Sequence, residues 1–600
     1  MKKASLFFAF FVLIHLGLYG QPIQNITYKK SEAMIPMRDG IKLFTTIFTP
    51  ENLNQPVPVL ITRTPYSATR TQDFNILDFT YTANMAKEGY IIVFQDIRGK
   101  FKSQGTMQIH QPLIHTTQKG AIDESTDTWD TVDWLIKNTK NNNGKAGILG
   151  ISYPGWLALV GAVDPHPALK ASSEQACMGD LFLGDDFFHN GAFRLSYGME
   201  YTYGVEFDKT KGSSFPFPQY DLFDWYLKLG SLKNVNEKYF HGKVDTWNHF
   251  VAHPNYDAFW QKNSPLSYVH YPQIPMLHVG GYYDQEDING PLLMYDHMEK
   301  KDSFDRNFLV LGPWNHGEWG RSDAQDARDF RELQKKWFDY WLKGTGDGRF
   351  DEATCFQTGS NQWKTYKSWP PKFPTIKKLY AGSDSKCSFK KPTAPGGSVS
   401  FISDPRKPVP YRSLPIEITY GKGSRWRTWL TEDQRFVSTR PDVVNFTMDS
   451  LAEDLKVTGK IIAHLFASTT GTDADWVVKL IDVYPAFYPE DLSKSGYQFP
   501  VAMEVFRGRF RKSFSHPSPL VPNKPEEFVI DLHDIDHVFK KGHRIMIQVQ
   551  STWFPVIDRN PQKYVPNIFL AKDTDYIKAT HTIHFSSKYP TYIELPVVSE

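Results

Sequence analysis

Apolar runs of strand length alternate with helical patterns of apolar and polar positions over much of the chain. Residues 59–62 and 90–94 are such runs and contain many β-branched side chains, which is typical of buried strands. Residues 80–88 between them show a helical pattern that Gly89 ends, since glycine readily takes the left-handed conformation found after helices. The order strand, helix, strand is the first unit of the predicted fold.

The same alternation continues toward the middle of the chain. It predicts helices at residues 129–136 and 156–163, strands at residues 146–149, 274–279 and 308–311, and a long amphipathic helix from Phe330 that ends at Gly344. Strands and helices in this order form a mainly parallel sheet with helices on both faces. We therefore predict an α/β domain built from residues 21–175 and 273–365.

Two stretches depart from this pattern. Residues 176–272 are rich in aromatic, Asn and His residues with only irregular helical patches, so we predict an insertion there. Residues 366–600 contain strand patterns separated by Pro, Gly and Asp, the clearest at residues 461–466, 476–483, 528–532 and 545–549. These patterns predict a separate all-β domain, a sandwich or a jelly roll.

Charge and cysteine content exclude several classes of protein. The 68 basic and 66 acidic residues nearly balance and form no long basic run, so no nucleic-acid partner is expected. Cys177, Cys355 and Cys387 are widely spaced and match no metal-ligand pattern, so neither a zinc site nor a disulfide scaffold is predicted. We expect no metal and no organic cofactor.

The amino terminus has the pattern of an export signal. Lys2 and Lys3 precede a nearly uncharged stretch at residues 4–18, and Gly20 follows it. The stretch is too short for a good membrane anchor, so residues 1–20 are predicted to be a signal peptide that is removed. We expect a secreted or periplasmic protein with no further membrane span.

Ser152 lies between a predicted strand and a predicted helix. Gly150 and Gly155 flank it, which is close to the G-x-S-x-G signature of a nucleophile on a sharp turn, although the second glycine stands one place later. On such a turn the amide of Tyr153 and the start of the helix could hold an oxyanion. By this pattern alone, an ordinary glycine-bounded turn remains the alternative.

A serine hydroxyl needs a base, and that base needs a carboxylate that fixes its tautomer. In α/β hydrolases the acid and then the histidine follow the serine along the chain. Asp284 follows the predicted strand at residues 274–279, and His316 follows the predicted strand at residues 308–311. Both lie just past the carboxyl ends of strands, where α/β sheets gather their sites. Asp284 and His316 are therefore the predicted partners of Ser152.

Five short motifs are spread along the chain. They are Arg-Thr-Pro-Tyr at residues 63–66, Asp-Ile-Arg-Gly at 96–99, Gly-Ile-Ser-Tyr-Pro-Gly at 150–155, Gly-Tyr-Tyr-Asp-Gln-Glu-Asp at 281–287 and Gly-Pro-Trp-Asn-His at 312–316. Together they resemble the family of X-Pro dipeptidyl peptidases, cocaine esterase and α-amino acid ester hydrolases. The resemblance implies an α/β-hydrolase domain, a helical cap at residues 176–272, a C-terminal jelly roll at residues 366–600, and a homo-oligomer, often a tetramer.

The resemblance also assigns further site residues. In the family a tyrosine hydroxyl works with the amide after the serine as the oxyanion hole, and Tyr66 corresponds to it. Glu286 and Asp287 lie on the loop of the predicted acid, where they could attract a cation, although an acidic loop is most often simply solvated. Similarity to α-amino acid ester hydrolases implies that they bind the substrate's α-ammonium together with Asp186 of the insertion. The adjoining Asp185 is the alternative to Asp186.

The residues predict a serine hydrolase that works through an acyl-enzyme, and the resemblance implies that it cleaves and transfers acyl groups of α-amino acid esters and of α-amino β-lactam amides. An X-Pro dipeptidyl peptidase and a general esterase similar to cocaine esterase are the alternatives within the family. A secreted carbohydrate-binding protein that keeps the scaffold without catalysis is the alternative of another class. Labelling of Ser152 by a serine-directed phosphonate would separate that last alternative from an enzyme.

Overall fold

The computed structural model of the protein describes residues 26–53, 55–69 and 75–598, and the predicted signal at residues 1–20 lies outside them. The first strands are β1 (Tyr28–Pro36), β2 (Lys42–Pro50), β3 (Val57–Thr64), β4 (Ile91–Asp96), β5 (Asn142–Ile151) and β6 (Leu169–Gln175). The insertion that follows adds β7 (Gly184–Asp185), β8 (Phe188–His189) and β9 (Ala192–Phe193). The chain then forms β10 (Met276–Gly281), β11 (Asn307–Gly312), β12 (Ala353–Gln357) and β13 (Gln362–Tyr366).

The strands outside the insertion form one ten-stranded sheet in the order β1-β2-β4-β3-β5-β6-β10-β11-β12-β13. From β4 to β12 in that order the strands run parallel, and β1, β2 and β13 are antiparallel additions at the two edges. The mainly parallel sheet that the sequence predicts is therefore confirmed. Since the carboxyl ends of its parallel strands meet at one edge, the loops after β5, β10 and β11 lie together there.

Helices cover this sheet and form most of the insertion. In chain order they are α1 (Thr80–Lys87), α2 (Glu124–Asn138), α3 (Tyr153–Gly161), α4 (Leu195–Glu206), α5 (Leu222–Leu229), α6 (Lys233–Val235), α7 (Asp245–Ala252), α8 (Ala258–Asn263), α9 (Gly290–Glu299), α10 (Gln325–Phe338) and the later α11 (Arg435–Ser438). Gly89 and Gly344 follow helical segments with φ of 82° and 74°, as the sequence predicts. Among the described helices, none combines the length and the apolar character that crossing a membrane requires.

The insertion begins with a small three-stranded sheet, β7-β8-β9, before its helices α4 to α8. The predicted cap is thus mainly helical but carries a short β segment at its start. In this β segment, β8 pairs antiparallel with both β7 and β9. The segment contains Asp185 and Asp186.

The C-terminal part is an all-antiparallel β domain. Its strands are β14 (Thr375–Ala381), β15 (Cys387–Ser388), β16 (Ser398–Ser403), β17 (Val443–Thr447), β18 (Leu455–Thr469), β19 (Asp475–Val483), β20 (Gln498–Arg507), β21 (Glu526–Phe539), β22 (Arg544–Gln550), β23 (Ala579–His584) and β24 (Tyr592–Val597). They form a seven-stranded and a four-stranded sheet with antiparallel pairings. Buried Trp476 of β19 packs against Phe528 of β21 and His581 of β23 in the other sheet, so the domain is a sandwich.

Candidate active site

Ser152 lies on a sharp turn between β5 and α3. Its backbone has φ of 68° and ψ of −133°, which is outside the usual regions for a non-glycine residue. The flanking glycines are required by close packing: a Cβ at Gly150 would lie 2.2 Å from the carbonyl of Pro154, and one at Gly155 would lie 2.4 Å from the carbonyl oxygen of Gln175. The strained turn presents the Ser152 side chain to a cavity of about 430 Å³.

His316 and Asp284 come together at the carboxyl ends of β11 and β10. Nδ1 of His316 lies 2.9 and 3.0 Å from the two carboxylate oxygens of Asp284, which is buried. Asp284 also accepts hydrogen bonds from the amides of Glu286, at 2.8 Å, and Asp287, at 3.0 Å, so its carboxylate is held in place. His316 lines the same cavity as Ser152. The structure therefore brings all three predicted triad residues to one edge of the sheet.

Burial lowers the pKa of His316, but the negative charges of Asp284 and Glu286 outweigh this effect and raise it to about 9. Nε2 of His316 lies 3.5 Å from a carboxylate oxygen of Glu286. The acidic surroundings thus favour the imidazolium, the form that a base takes once it has accepted a proton.

Tyr66 lies beside Ser152 in the wall of the cavity. Its hydroxyl is 3.0 Å from the hydroxyl of Tyr201 on α4, and burial raises the pKa of Tyr66 well above its ordinary value. The hydroxyl therefore keeps its proton and can donate a hydrogen bond. The Tyr153 amide is the first of α3, and the first amides of a helix have no acceptor within it. The two donors predicted for an oxyanion are thus present near Ser152.

The structure distinguishes Asp186 from its neighbour. The carboxylate of Asp185 accepts hydrogen bonds from four backbone amides, including those of Gly179 at 2.8 Å and Asp180 at 3.0 Å. It therefore stabilises the backbone conformation of these segments. Asp186 instead accepts a hydrogen bond from the hydroxyl of Tyr197, and its charge acts on Glu286 and on the site. Of these two acids, Asp186 is the one that the structure brings to the predicted cluster.

The three predicted ammonium-binding acids differ in exposure to the cavity. Glu286 lines it, whereas Asp186 and Asp287 are buried behind its wall. Burial, together with the charge of Glu286, raises the pKa of Asp186 to about 6. Burial and the neighbouring acids raise the pKa of Asp287 well above its ordinary range, and its carboxyl oxygens have no hydrogen-bond partner among the described residues. A cation bound at Glu286 would stabilise the ionised form of all three.

Several residues of the site could not be read from the sequence. Tyr420 and Trp426, in the segment between β16 and β17, donate hydrogen bonds of 3.0 and 2.9 Å to the two carboxylate oxygens of Glu286. Arg194 is buried and donates to the backbone carbonyls of Asp186 and Glu286, at 3.0 Å each. These contacts join the insertion, the acid loop and the C-terminal domain around Glu286. No motif in the sequence marks them.

One other cluster has metal-ligand chemistry. His189 of β8, Glu504 of β20 and His533 of β21 bring ligand atoms within 4.8 Å of one another. Glu504 is hydrogen-bonded to both histidines, at 2.8 and 2.7 Å, and Arg194 lines the same small cavity. Burial raises the pKa of Glu504, but the charge of His189 and the hydrogen bonds from both histidines outweigh it and lower it to about 2. The cluster therefore joins the insertion to the β domain through the hydrogen bonds of Glu504 to both histidines.

Comparisons with known proteins agree with this architecture. A family model described as X-Pro dipeptidyl-peptidase (S15 family) matches residues 39–318, and one described as X-Pro dipeptidyl-peptidase C-terminal non-catalytic domain matches residues 336–594. The solved structure of an aminopeptidase from a marine sediment archaeon, Thaumarchaeota archaeon, is 40% identical, with a TM-score of 0.93 over 97% of this chain and 98% of that chain.

Two further relatives cover nearly the whole chain. A solved α-amino acid ester hydrolase is 38% identical, with a TM-score of 0.92 over 98% of this chain and 100% of that chain. The cocaine esterase of Rhodococcus sp. is 27% identical over 95% of this chain and 98% of its own length. The predicted family resemblance and fold class are thus confirmed. The chain belongs to the X-Pro dipeptidyl-peptidase (S15) family and is a serine hydrolase with an α/β-hydrolase domain and a C-terminal β domain.

Proposed function

We propose that the protein hydrolyses α-amino acid esters, and amides of α-amino β-lactams, and can transfer their acyl groups through an acyl-enzyme at Ser152. One observation carries the proposal: the carboxylate of Glu286 faces the cavity of Ser152 and His316, with the buried acids Asp186 and Asp287 behind it. This is the environment that a substrate with a positive charge next to its carbonyl requires. The 38% identity to a solved α-amino acid ester hydrolase supports it.

In the proposed reaction, Ser152 Oγ attacks the substrate carbonyl carbon while Nε2 of His316 accepts its proton. Asp284 holds the Nδ1–H of His316 and stabilises the imidazolium. The Tyr66 hydroxyl and the Tyr153 amide donate to the oxyanion. His316 then returns the proton to the leaving alcohol or amine as its bond to the carbonyl carbon breaks. Water, or an amine that replaces it, attacks the acyl-enzyme by the same steps in reverse.

The acids select the substrate by electrostatics. Glu286 is fixed by its hydrogen bonds from Tyr420 and Trp426, so it does not need to reorganise when a cation binds. Each buried charge-assisted contact to an ammonium contributes about 1.5–3 kcal/mol. A neutral acyl group would leave these carboxylates without the cation that compensates their burial, and should therefore be a poor substrate.

Substrate preference tests the proposal. The wild-type protein is expected to hydrolyse phenylglycine methyl ester with a kcat/KM roughly 100-fold higher than that of methyl phenylacetate, which lacks only the α-amino group. Glu286→Gln keeps the shape and removes the charge, so it should reduce this ratio to about tenfold or less. Initial rates for both esters measured on both proteins give the two ratios.

Glu237→Gln is the matched control, since it makes the same change on the exposed surface of the insertion and should keep the wild-type ratio. Equal turnover of the two esters by the wild type would overturn the ammonium site and favour a general esterase. A ratio that Glu286→Gln leaves at the wild-type value would show that other groups select the substrate.

The pH dependence of an uncharged ester tests the state of His316. The base must be neutral to accept the proton of Ser152, and the pKa of His316 is raised to about 9. We therefore expect kcat/KM for methyl phenylacetate to fall as the pH is lowered through this value. Glu286→Gln removes one of the charges that raise the pKa and should move the acid limb down by about one pH unit. An acid limb at the same pH in both proteins would contradict the effect of Glu286 on the pKa of His316.

Aminopeptidase activity is the second candidate, favoured by the 40% identity to a solved aminopeptidase. An aminopeptidase would use the same ammonium site as an ester hydrolase. The two activities are therefore separated by comparing an amide and an ester of the same acyl group. Because an ester is intrinsically more reactive than an amide, faster hydrolysis of phenylglycine methyl ester is expected of both, and only hydrolysis of phenylglycine anilide at an equal or higher rate supports the peptidase. Activity confined to X-Pro dipeptide amides would favour an X-Pro dipeptidyl peptidase.

We further propose that residues 1–20 direct export, that the protein is secreted or periplasmic, and that it forms a homo-oligomer such as a tetramer. The charge pattern of the amino terminus supports export, and the family resemblance supports oligomers. Cell fractionation and light scattering of the purified protein would test them.

A further inference from the structure

Two arginines without a carboxylate partner among the described residues lie beside the active site. Arg427 is in the cavity wall, and Arg321 packs against Gly317, the residue after His316, where its Nη1 would lie 3.2 Å from a Cβ. Arg427 is exposed and lines the cavity with Ser152 and His316, and its guanidinium makes no ion pair or hydrogen bond within residues 26–53, 55–69 and 75–598. Arg321 follows the His316 loop and donates a hydrogen bond to the side chain of Asn315. In the same described ranges it forms no ion pair. Both positive charges are therefore available to a ligand.

Both guanidinium groups are placed around His316, since Arg427 shares the cavity wall with it and Arg321 packs against the adjoining Gly317. Partial burial, and next the charge of Arg427, lower the pKa of Arg321 to about 10. Arg321 is still protonated at neutral pH, so two like charges stand near one another beside the cavity. Their repulsion is a free-energy cost that an anion bound between them would remove. Paired guanidinium groups with free N–H donors are suited to a planar carboxylate.

The cavity is consequently bipolar. Glu286 and Glu200 give it an acidic wall, and Arg427 gives it a basic one. Adjacent residues of one segment contribute to both walls. Trp426 donates a hydrogen bond of 2.9 Å to the carboxylate of Glu286 in the acidic wall, and the next residue, Arg427, forms the basic wall. An amino ester with an uncharged alcohol would use only the acidic wall. A molecule with an ammonium at one end and a carboxylate at the other would use both.

We propose that Arg427 and Arg321 bind a carboxylate on the leaving group. Among the substrates of the proposed function, those whose leaving group carries a carboxylate, as in an amino β-lactam, are then preferred. The inference rests on the proposed function, which supplies the α-aminoacyl half of the substrate. The arginines would hold the leaving group in place while its nitrogen takes the proton from His316 and its bond to the carbonyl carbon breaks.

Binding to the Ser152→Ala protein tests this without turnover. The ligands are phenylglycylglycine and phenylglycylglycinamide, which differ only in the terminal carboxylate. Calorimetry should give a Kd about tenfold lower for the dipeptide acid. Adding Arg427→Gln or Arg321→Gln to Ser152→Ala should bring the two Kd values close together. Lys422→Gln removes an exposed positive charge from the same segment and should keep the tenfold ratio.

Equal Kd values for the acid and the amide, no binding of either, or a ratio that survives both arginine changes would overturn the inference. Phenylglycine joined to a carboxylate-bearing β-lactam nucleus is the third ligand, and its Kd relative to the dipeptide identifies the leaving group that fits better. The proposed function is judged separately, since phenylglycine methyl ester has no carboxylate. Its turnover by the wild type can succeed or fail whatever the ratio of the two Kd values.

Discussion

Ser152→Ala is expected to lower kcat for phenylglycine methyl ester by roughly 10⁵-fold or more, with no loss of folding. The change removes the only atom that forms the acyl bond, and binding together with the oxyanion donors leaves a small residual rate. Alanine can take the same backbone conformation as serine at φ of 68°, and the amide of residue 152 keeps its 2.9 Å hydrogen bond to the carbonyl of Gln175.

Steady-state kinetics and thermal unfolding of the same preparation measure the two quantities. Ser587→Ala makes the same substitution at an exposed position of the β domain and should leave both at wild-type values. Residual activity of the Ser152→Ala protein within tenfold of wild type, in a folded sample, would contradict the assignment of the nucleophile.

Asp284→Asn should lower kcat by about 10⁴-fold. The asparagine oxygen can still accept from the amides of Glu286 and Asp287, which places its NH₂ group toward His316. That NH₂ would donate to Nδ1 and force the imidazole proton onto Nε2, where it blocks acceptance of the Ser152 proton. The loss thus comes from the wrong tautomer rather than from a disordered loop.

The control for this variant is Asp287→Asn. Burial already raises the pKa of Asp287 far above its ordinary range, so with methyl phenylacetate, which brings no ammonium to favour the ionised form, the amide resembles the neutral acid. A much smaller fall in kcat is expected than for Asp284→Asn, with unfolding curves to show that both proteins fold. Equal losses for the two variants would indicate that charge in the loop, rather than the tautomer of His316, limits catalysis.

Local signals explain why the triad could be predicted from the sequence. Ser152 is marked by the glycines around it, and those glycines are required because an added Cβ would lie 2.2 Å from the Pro154 carbonyl at Gly150 and 2.4 Å from the Gln175 carbonyl oxygen at Gly155. Asp284 and His316 are marked by the apolar strands that precede them. The carboxyl ends of parallel strands lie at one edge of the sheet, so residues that follow such strands lie near one another. Strand order then brings together residues that are far apart in the chain.

Other parts of the site depend on tertiary contacts that no local pattern records. Tyr420 and Trp426 lie 134 and 140 residues after Glu286 and belong to the C-terminal region, so their hydrogen bonds to it arise only when the domains pack. Asp185 and Asp186 have the same side chain and neighbouring positions. Only the direction in which each side chain leaves the β segment assigns one to the backbone amides and the other to the site.

Strand β6 shows that a strand with buried polar side chains is not marked by a hydrophobic pattern. Its sequence ends Ser-Ser-Glu-Gln, which has no apolar run, yet these side chains are buried. Glu174 is compensated by a hydrogen bond with His278 of the neighbouring β10, and the amide of Gln175 bonds to Ser173 and Gln334. Because Glu174 and Gln175 find partners on other elements, at His278 and Gln334, the hydrophobic pattern could not predict this central strand.

The most direct test of the account is covalent labelling by two matched diphenyl phosphonates, the analogue of phenylglycine and the benzyl compound that lacks its amino group. Both react irreversibly with an activated serine, so no turnover is needed. The account predicts one label on Ser152, located by peptide mass spectrometry, and a second-order rate roughly 100-fold higher for the amino phosphonate. Equal rates, or a label on any other residue, would contradict it.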